Sequence, residues 1–114
     1  MKDIVFLGDS LERLREFPIG IKQEAGYELH KVQCGEYPTD FKPLKIVGKG
    51  VMEIRLKDVS GIYRIVYAAK IGDLVYIFHA FQKKTQKTAQ SDIDLAKDRY
   101  KQLLQEQKNA KTDL

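Results

Sequence analysis

The chain has one cysteine, no tryptophan, two histidines and three prolines in 114 residues. A lone Cys34 cannot close an intramolecular disulfide, and Cys34, His30 and His79 are not spaced as zinc ligands, so neither a disulfide framework nor a Cys/His metal site is expected. No apolar run reaches the ~18 residues of a membrane-spanning helix. Gly8-Asp9-Ser10 also interrupts the apolar residues of the amino terminus before a signal-peptide core can form. These absences predict a soluble, cytoplasmic protein. Also missing are a Gly-rich strand–loop–helix phosphate loop, a Ser/His/Asp set and a carboxylate cluster for magnesium, so no cofactor or metal is expected. With 43% hydrophobic and 32% charged residues, the chain suits one packed core and no second domain.

What the sequence does have is positive charge gathered in one region. Residues 1–41 carry 5 basic and 8 acidic side chains, residues 42–88 carry 10 and 3, and residues 89–114 carry 5 and 5. A cationic segment within an otherwise balanced domain is the footprint of a phosphate-binding surface, or else a solvated lysine-rich face. The same segment, Val51 to Thr88, holds the strongest strand pattern. Met52, Ile54 and Leu56 alternate with Glu53, Arg55 and Lys57. Ile62–Ala69 and Leu74–Phe81 are almost wholly apolar, as in strands covered on both sides. The turns Val59-Ser60-Gly61 and Ile71-Gly72-Asp73 join them into an antiparallel meander.

Helices are expected on either side of it. Lys2–Leu7 reads as a short strand, and Asp9 or Ser10 then caps a helix, with Glu12 completing a capping box. Pro18 ends that helix, and Ile21, Ala25, Leu29 and Val32 define an amphipathic second one to about Gln33. Gly26 inside it either weakens it or lets another backbone pack close. Cys34–Gly50 reads as a long connection pinned by Tyr37, Phe41, Leu44, Ile46 and Val47. A last helix starts at Ser91, with Asp94 in a capping box and a stripe of Ile93, Ala96, Tyr100, Leu103 and Leu104. The domain is expected to span residues 1–107, with 108–114 a frayed tail.

Arg64 is the most informative single residue. A mid-strand guanidinium among Ile62, Tyr63, Ile65 and Val66 must either pair with an acid, Glu53 or Asp58, or meet an external anion. Arg55 and Lys57 on the preceding strand, and Lys83, Lys84 and Lys87 after the last one, are expected to converge with it, and Lys45 and Lys49 to extend the cationic surface. His79, at the parity of Val75, Ile77 and Phe81, reads first as a core histidine and second as a general acid or base. RNA carries its own nucleophile, the 2′-OH, so fixed cations that align it and stabilise the added negative charge could cleave it.

The segments FLGDSLERLREFP, EIRL, YRIVY and HAFQKKTQKT, in this order, resemble the RelE/ParE superfamily of bacterial toxins and within it the phage-derived HigB-like branch. The resemblance extends over nearly the whole chain. It implies an α+β fold in which an amino-terminal helical hairpin packs on a twisted, mainly antiparallel sheet followed by a carboxy-terminal helix. It implies the toxin of a type II toxin–antitoxin system, an endoribonuclease cleaving mRNA on the ribosome. Its expected partner is an antitoxin of helix-turn-helix type, with neither membrane nor sequence-specific DNA contacts of the toxin's own. By position, Arg64 and Lys84 match the regular phosphate-contacting residues of the family and Arg55 a basic residue of the preceding strand, with Lys57 and Lys83 in support. The gyrase-inhibiting ParE branch, which acts by binding a protein, is the alternative.

Overall fold

The alternation read from Val51 onward folds into the centre of a five-stranded sheet. The computed structural model describes residues 1–112, and side chains through residue 110. In chain order the elements are β1 (Asp3–Phe6), α1 (Ser10–Arg15), α2 (Ile19–Gln33), β2 (Phe41–Pro43), β3 (Val51–Asp58), β4 (Gly61–Ile71), β5 (Leu74–Lys83) and α3 (Gln90–Thr112). The sheet order is β1-β5-β4-β3-β2. Only the β1–β5 pair is parallel, and β2–β3, β3–β4 and β4–β5 are antiparallel. The fold is therefore α+β, with helices on both faces of a mixed, mainly antiparallel sheet.

Two cores result from the two sheet faces. On one, Ile21, Ala25, Leu29 and Val32 of α2 pack against Ile54, Leu56, Ile65, Tyr67 and Ile77. On the other, Ala96 and Leu103 of α3 pack against Val66, Ala68, Phe78 and Phe81, with Leu44 and Val47 beside them. Each fully buried aliphatic or aromatic side chain contributes about 1.5–3 kcal/mol, which explains why the long apolar strands lie in the middle. Tyr100, expected in the α3 stripe, sets its ring edge-on to Phe78 at 5.8 Å and donates its hydroxyl to the Lys49 carbonyl at 3.2 Å.

Several local expectations are corrected. No side-chain hydrogen bond caps α1. The Asp9 carboxylate instead accepts from Arg13 Nε at 3.0 Å and Arg99 Nη2 at 2.6 Å, tying α1 to α3. Arg99 crosses directly over Gly8, where a Cβ would lie 2.5 Å from the guanidinium. Gly26 faces open space, with no backbone packed against it. The connection after α2 contains a short edge strand, β2, which its proline and three-residue length conceal from any periodicity argument. Its start is fixed by buried Glu28, which accepts from the Thr39 N–H at 2.7 Å and the Thr39 hydroxyl at 2.6 Å. α3 begins at Gln90, and Asp94 accepts from the Gln90 amide at 2.8 Å rather than joining a capping box with Ser91. The helix continues through Lys108 to Thr112, over most of the expected frayed tail. Residues 113 and 114 lie outside the described residues.

One irregularity bears on the site. Val66 pairs with His79, but Tyr67 pairs with Ile77. Phe78 is thus an extra residue in β5, a bulge that reverses the strand's alternation. Val75 and Ile77 face α2, whereas Phe81 faces α3, and His79 lies on the α3 side with it.

Candidate nucleic-acid interface

Residues directly opposite in neighbouring strands share a sheet face. Arg55 lies opposite Arg64, and Lys57 opposite Ile62. Arg64 in turn lies opposite Phe81, and Ile62 opposite Lys83. Register alone therefore brings Arg55, Lys57, Arg64 and Lys83 onto one face, at the end of the sheet where Arg55, Lys57 and Ile62 are exposed. Lys42 on β2, opposite Glu53 of β3, joins them from the edge. Of the cations expected to converge on Arg64, register gathers Arg55, Lys57 and Lys83, whereas Lys84 and Lys87 lie beyond the end of β5.

Arg64 is the least accessible of them. Its side chain is 6% exposed and its Nε lies 3.2 Å from Oε1 of Glu53, which is wholly buried. Its Nη1 donates to the Tyr63 carbonyl at 3.0 Å. Lys42 Nζ stands 3.7 Å from the same Glu53 oxygen, and Arg55 faces Asp40 at 3.8 Å. Burial lowers the Arg64 pKa, and the Glu53 carboxylate opposes that shift. A guanidinium so affected still remains cationic. Asp58, the other partner expected from sequence, is occupied by the Ser60 N–H at 2.7 Å. Lys83 is also pushed down, first by burial and then by the Arg64 charge.

Lys83 and Lys84 turn from this face into a second feature. They border a cleft of about 530 Å³ between the end of α1, the end of β5 and the start of α3. Its lining includes the apolar or aromatic side chains Phe17, Tyr63 and Phe81 and the polar ones Arg13, Glu16, Gln82, Thr85 and Asp92. β1 pairs with β5 only from Leu74 to Ile77, so the rest of that edge is left to α1 and α3.

His79 is placed differently from the catalytic role considered above. It has no exposed surface, stacks on Phe81 with ring centroids 4.9 Å apart, and its Nε2 lies 2.7 Å from Asp92 Oδ1. Burial lowers its pKa and Asp92 partly offsets this. Enclosed in this way, it holds the first turn of α3 to the sheet and cannot touch a ligand on the surface. Lys45 and Lys49 are exposed in the β2–β3 connection, beyond the end of β3 remote from Lys57, so the structure does not gather them with the cluster. Lys87 is exposed in the β5–α3 connection, its carbonyl accepting from Thr85 at 2.5 Å. Sequence reasoning missed Arg13, Glu16 and Asp92, since only the packing of α1 and α3 at the β5 edge assembles them. Among the described residues, no three His, Cys, Asp or Glu side chains gather to hold a metal ion, and no helix is long and apolar enough to cross a membrane.

The class defined by these features is a small α+β domain whose sheet carries a partly buried cluster of cations beside a polar-rimmed cleft. Residues 12–101 match the family of phage-derived Gp49-like proteins, so the chain belongs to that family. The match runs from within α1 to within α3 and agrees with the RelE-like, toxin-like resemblance of the sequence. No curated protein is significantly similar to the chain.

Proposed function

We propose that the protein is the toxin of a type II toxin–antitoxin system, in the HigB-like branch, and a metal-independent endoribonuclease that cleaves mRNA on the ribosome and so inhibits translation. The observation that carries this reading is the convergence of Arg55, Lys57, Arg64 and Lys83 on one sheet face, in a chain of a toxin-like family. The ribose 2′-oxygen attacks the adjacent phosphorus while the bond to the 5′-oxygen breaks, leaving a 2′,3′-cyclic phosphate and a 5′-hydroxyl. One proton leaves the 2′-OH and one joins the 5′-oxygen. The pentacoordinate phosphate carries extra negative charge, and fixed guanidinium and ammonium groups stabilise it without reorganising. Lys83, on the same face as Arg64 and half-buried at the strand end, is a candidate for moving a proton. Lys84 and Lys87, in the connection from β5 to α3, add to the positive charge beyond the strand end. Such a toxin acts in the cytoplasm and is neutralised by an antitoxin, in this reading one of helix-turn-helix type.

The test is to map RNA 5′ ends after brief induction of the wild type and of Arg55→Ala/Lys83→Ala. These substitutions leave the buried Glu53–Arg64 pair in place, so loss of function is not confused with unfolding. New 5′-hydroxyl ends within translated messages, absent from the double variant, are expected. DNA damage with intact messages would instead identify the protein-binding, gyrase-inhibiting mode.

A further inference from the structure

We propose that the cleft bordered by Lys83 and Lys84 is a subsite for one unstacked RNA base carrying an exocyclic amino group. The proposal rests on the RNA-cleaving reading and deepens it, because a base subsite beside a phosphate site gives the enzyme a sequence preference.

The cleft and the basic face differ in chemistry. On the face, Lys42, Arg55, Lys57, Arg64 and Lys83 outnumber Glu53 and Asp40, a balance suited to phosphate oxygens. In the cleft, the carboxylates of Glu16 and Asp92 stand beside Arg13, Lys83 and Lys84, so it offers acceptors as well as cations. The aromatic lining has Phe17 and Tyr63 with ring centroids 4.9 Å apart. A flat apolar body with donors and acceptors along its edge suits a lining that mixes aromatic and polar side chains, and a nucleobase has that form. The volume of about 530 Å³ falls within the ~300–1,000 Å³ of small-ligand sites. His79 fixes Asp92 through Oδ1, so this acceptor is held in place.

Connectivity supports the same occupant. Lys83 belongs to both surfaces: it feels the Arg64 charge and borders the cleft. A phosphate held at Lys83 therefore places an adjoining base at the cleft mouth. Phosphate contacts position a nucleic acid and base contacts specify its sequence, and single-stranded RNA offers unstacked bases for such pockets. Carboxylates accept from the amino groups of adenine, cytosine or guanine, and uracil has no such group.

The experiment is binding of 2′-O-methylated, hence uncleavable, tetranucleotides to the full chain, followed by fluorescence at low salt. At one position an abasic residue, or uracil in place of adenine, should weaken binding by about tenfold, the scale of one base contact. Glu16→Ala and Ala89→Leu, the latter narrowing the cleft from the residue that precedes α3, should collapse that difference. Circular dichroism confirms that both variants are folded. Binding that is indifferent to base removal at every position overturns the subsite and leaves RNA recognition standing. A base-dependent difference that both folded variants retain overturns it too, since the base then sits elsewhere. Absence of any RNA binding overturns this proposal and the RNA-cleaving reading together.

Discussion

Arg64 and Glu53 form an ion pair inside the sheet, Nε to Oε1 at 3.2 Å, with side chains 6% and 0% exposed. Among the described residues, neither Glu53 oxygen nor Arg64 Nε completes a well-aligned hydrogen bond. The pair is therefore held by charge, with Lys42 as a second, more distant cation. Breaking a buried pair from one side leaves an uncompensated charge, which costs about 3–5 kcal/mol. Arg64→Ala should thus lower the urea midpoint far more than Arg64→Met combined with Glu53→Leu. Equal losses in the single and double variants would mean that the charges are not coupled.

His79 gives stability a pH dependence near neutrality. Its folded-state pKa lies below the ordinary 6.5, chiefly because of burial. The unfolded chain therefore binds the proton more readily, and the stability linked to neutral His79 is complete above pH 6.5 and declines as pH falls through the folded pKa. Unfolding free energies measured from pH 7.5 to 5 should decline in the wild type and decline less in His79→Gln. Parallel profiles would show that His79 does not titrate with unfolding.

Asp9 acts at lower pH. Arg13 and then Arg99 hold its pKa down, from 3.8 to about 2. Its contribution is present above the unfolded value and is lost as pH falls from about 4 toward 2. The carboxylate is 39% exposed, so solvent screening reduces this to about 1 kcal/mol. Asp9→Asn should lower stability by that amount at pH 7 and show a flatter acid limb below pH 4. The check is a set of urea melts at matched ionic strength.

The sequence revealed what periodicity encodes, namely the three-strand meander, the α2 and α3 stripes and the shared face of Arg55, Lys57, Arg64 and Lys83. It did not reveal what depends on a broken period or on distant packing. The bulge at Phe78 breaks the two-residue period and moves His79 away from the face of Val75 and Ile77. β2 is too short to show alternation. Asp9 has the residue type and spacing of a helix cap, yet Arg99, 90 residues away, determines its partners. The cleft was illegible for the same reason: Arg13, Lys84 and Asp92 meet only through tertiary contacts.

Gly26 offers a test of helix energetics apart from the site. It sits inside α2, exposed, with open space where a Cβ would be. Alanine relieves the conformational entropy that glycine loses on folding and adds no clash. Gly26→Ala should raise stability by about 0.5–1 kcal/mol, seen as a higher urea midpoint with an unchanged slope. A destabilised variant would indicate a contact to this face of α2 absent from the isolated chain.

The cationic face predicts a particular response to salt. Each phosphate neutralised on a single strand releases condensed counterions, and the logarithm of affinity falls against the logarithm of salt with a slope of about −0.7 per phosphate. If Arg55, Lys57 and Lys83 each meet a phosphate, single alanine substitutions should make the slope shallower by about 0.7. Lys45→Ala and Lys49→Ala, beyond the far end of β3, should change it little. The measurement is binding of a 2′-O-methylated oligonucleotide between 50 and about 300 mM salt, a range in which such contacts are resolved. A slope reduced as much by Lys49→Ala as by Lys83→Ala would mean that the RNA follows the cations of the β2–β3 connection, and the assigned face would have to be moved.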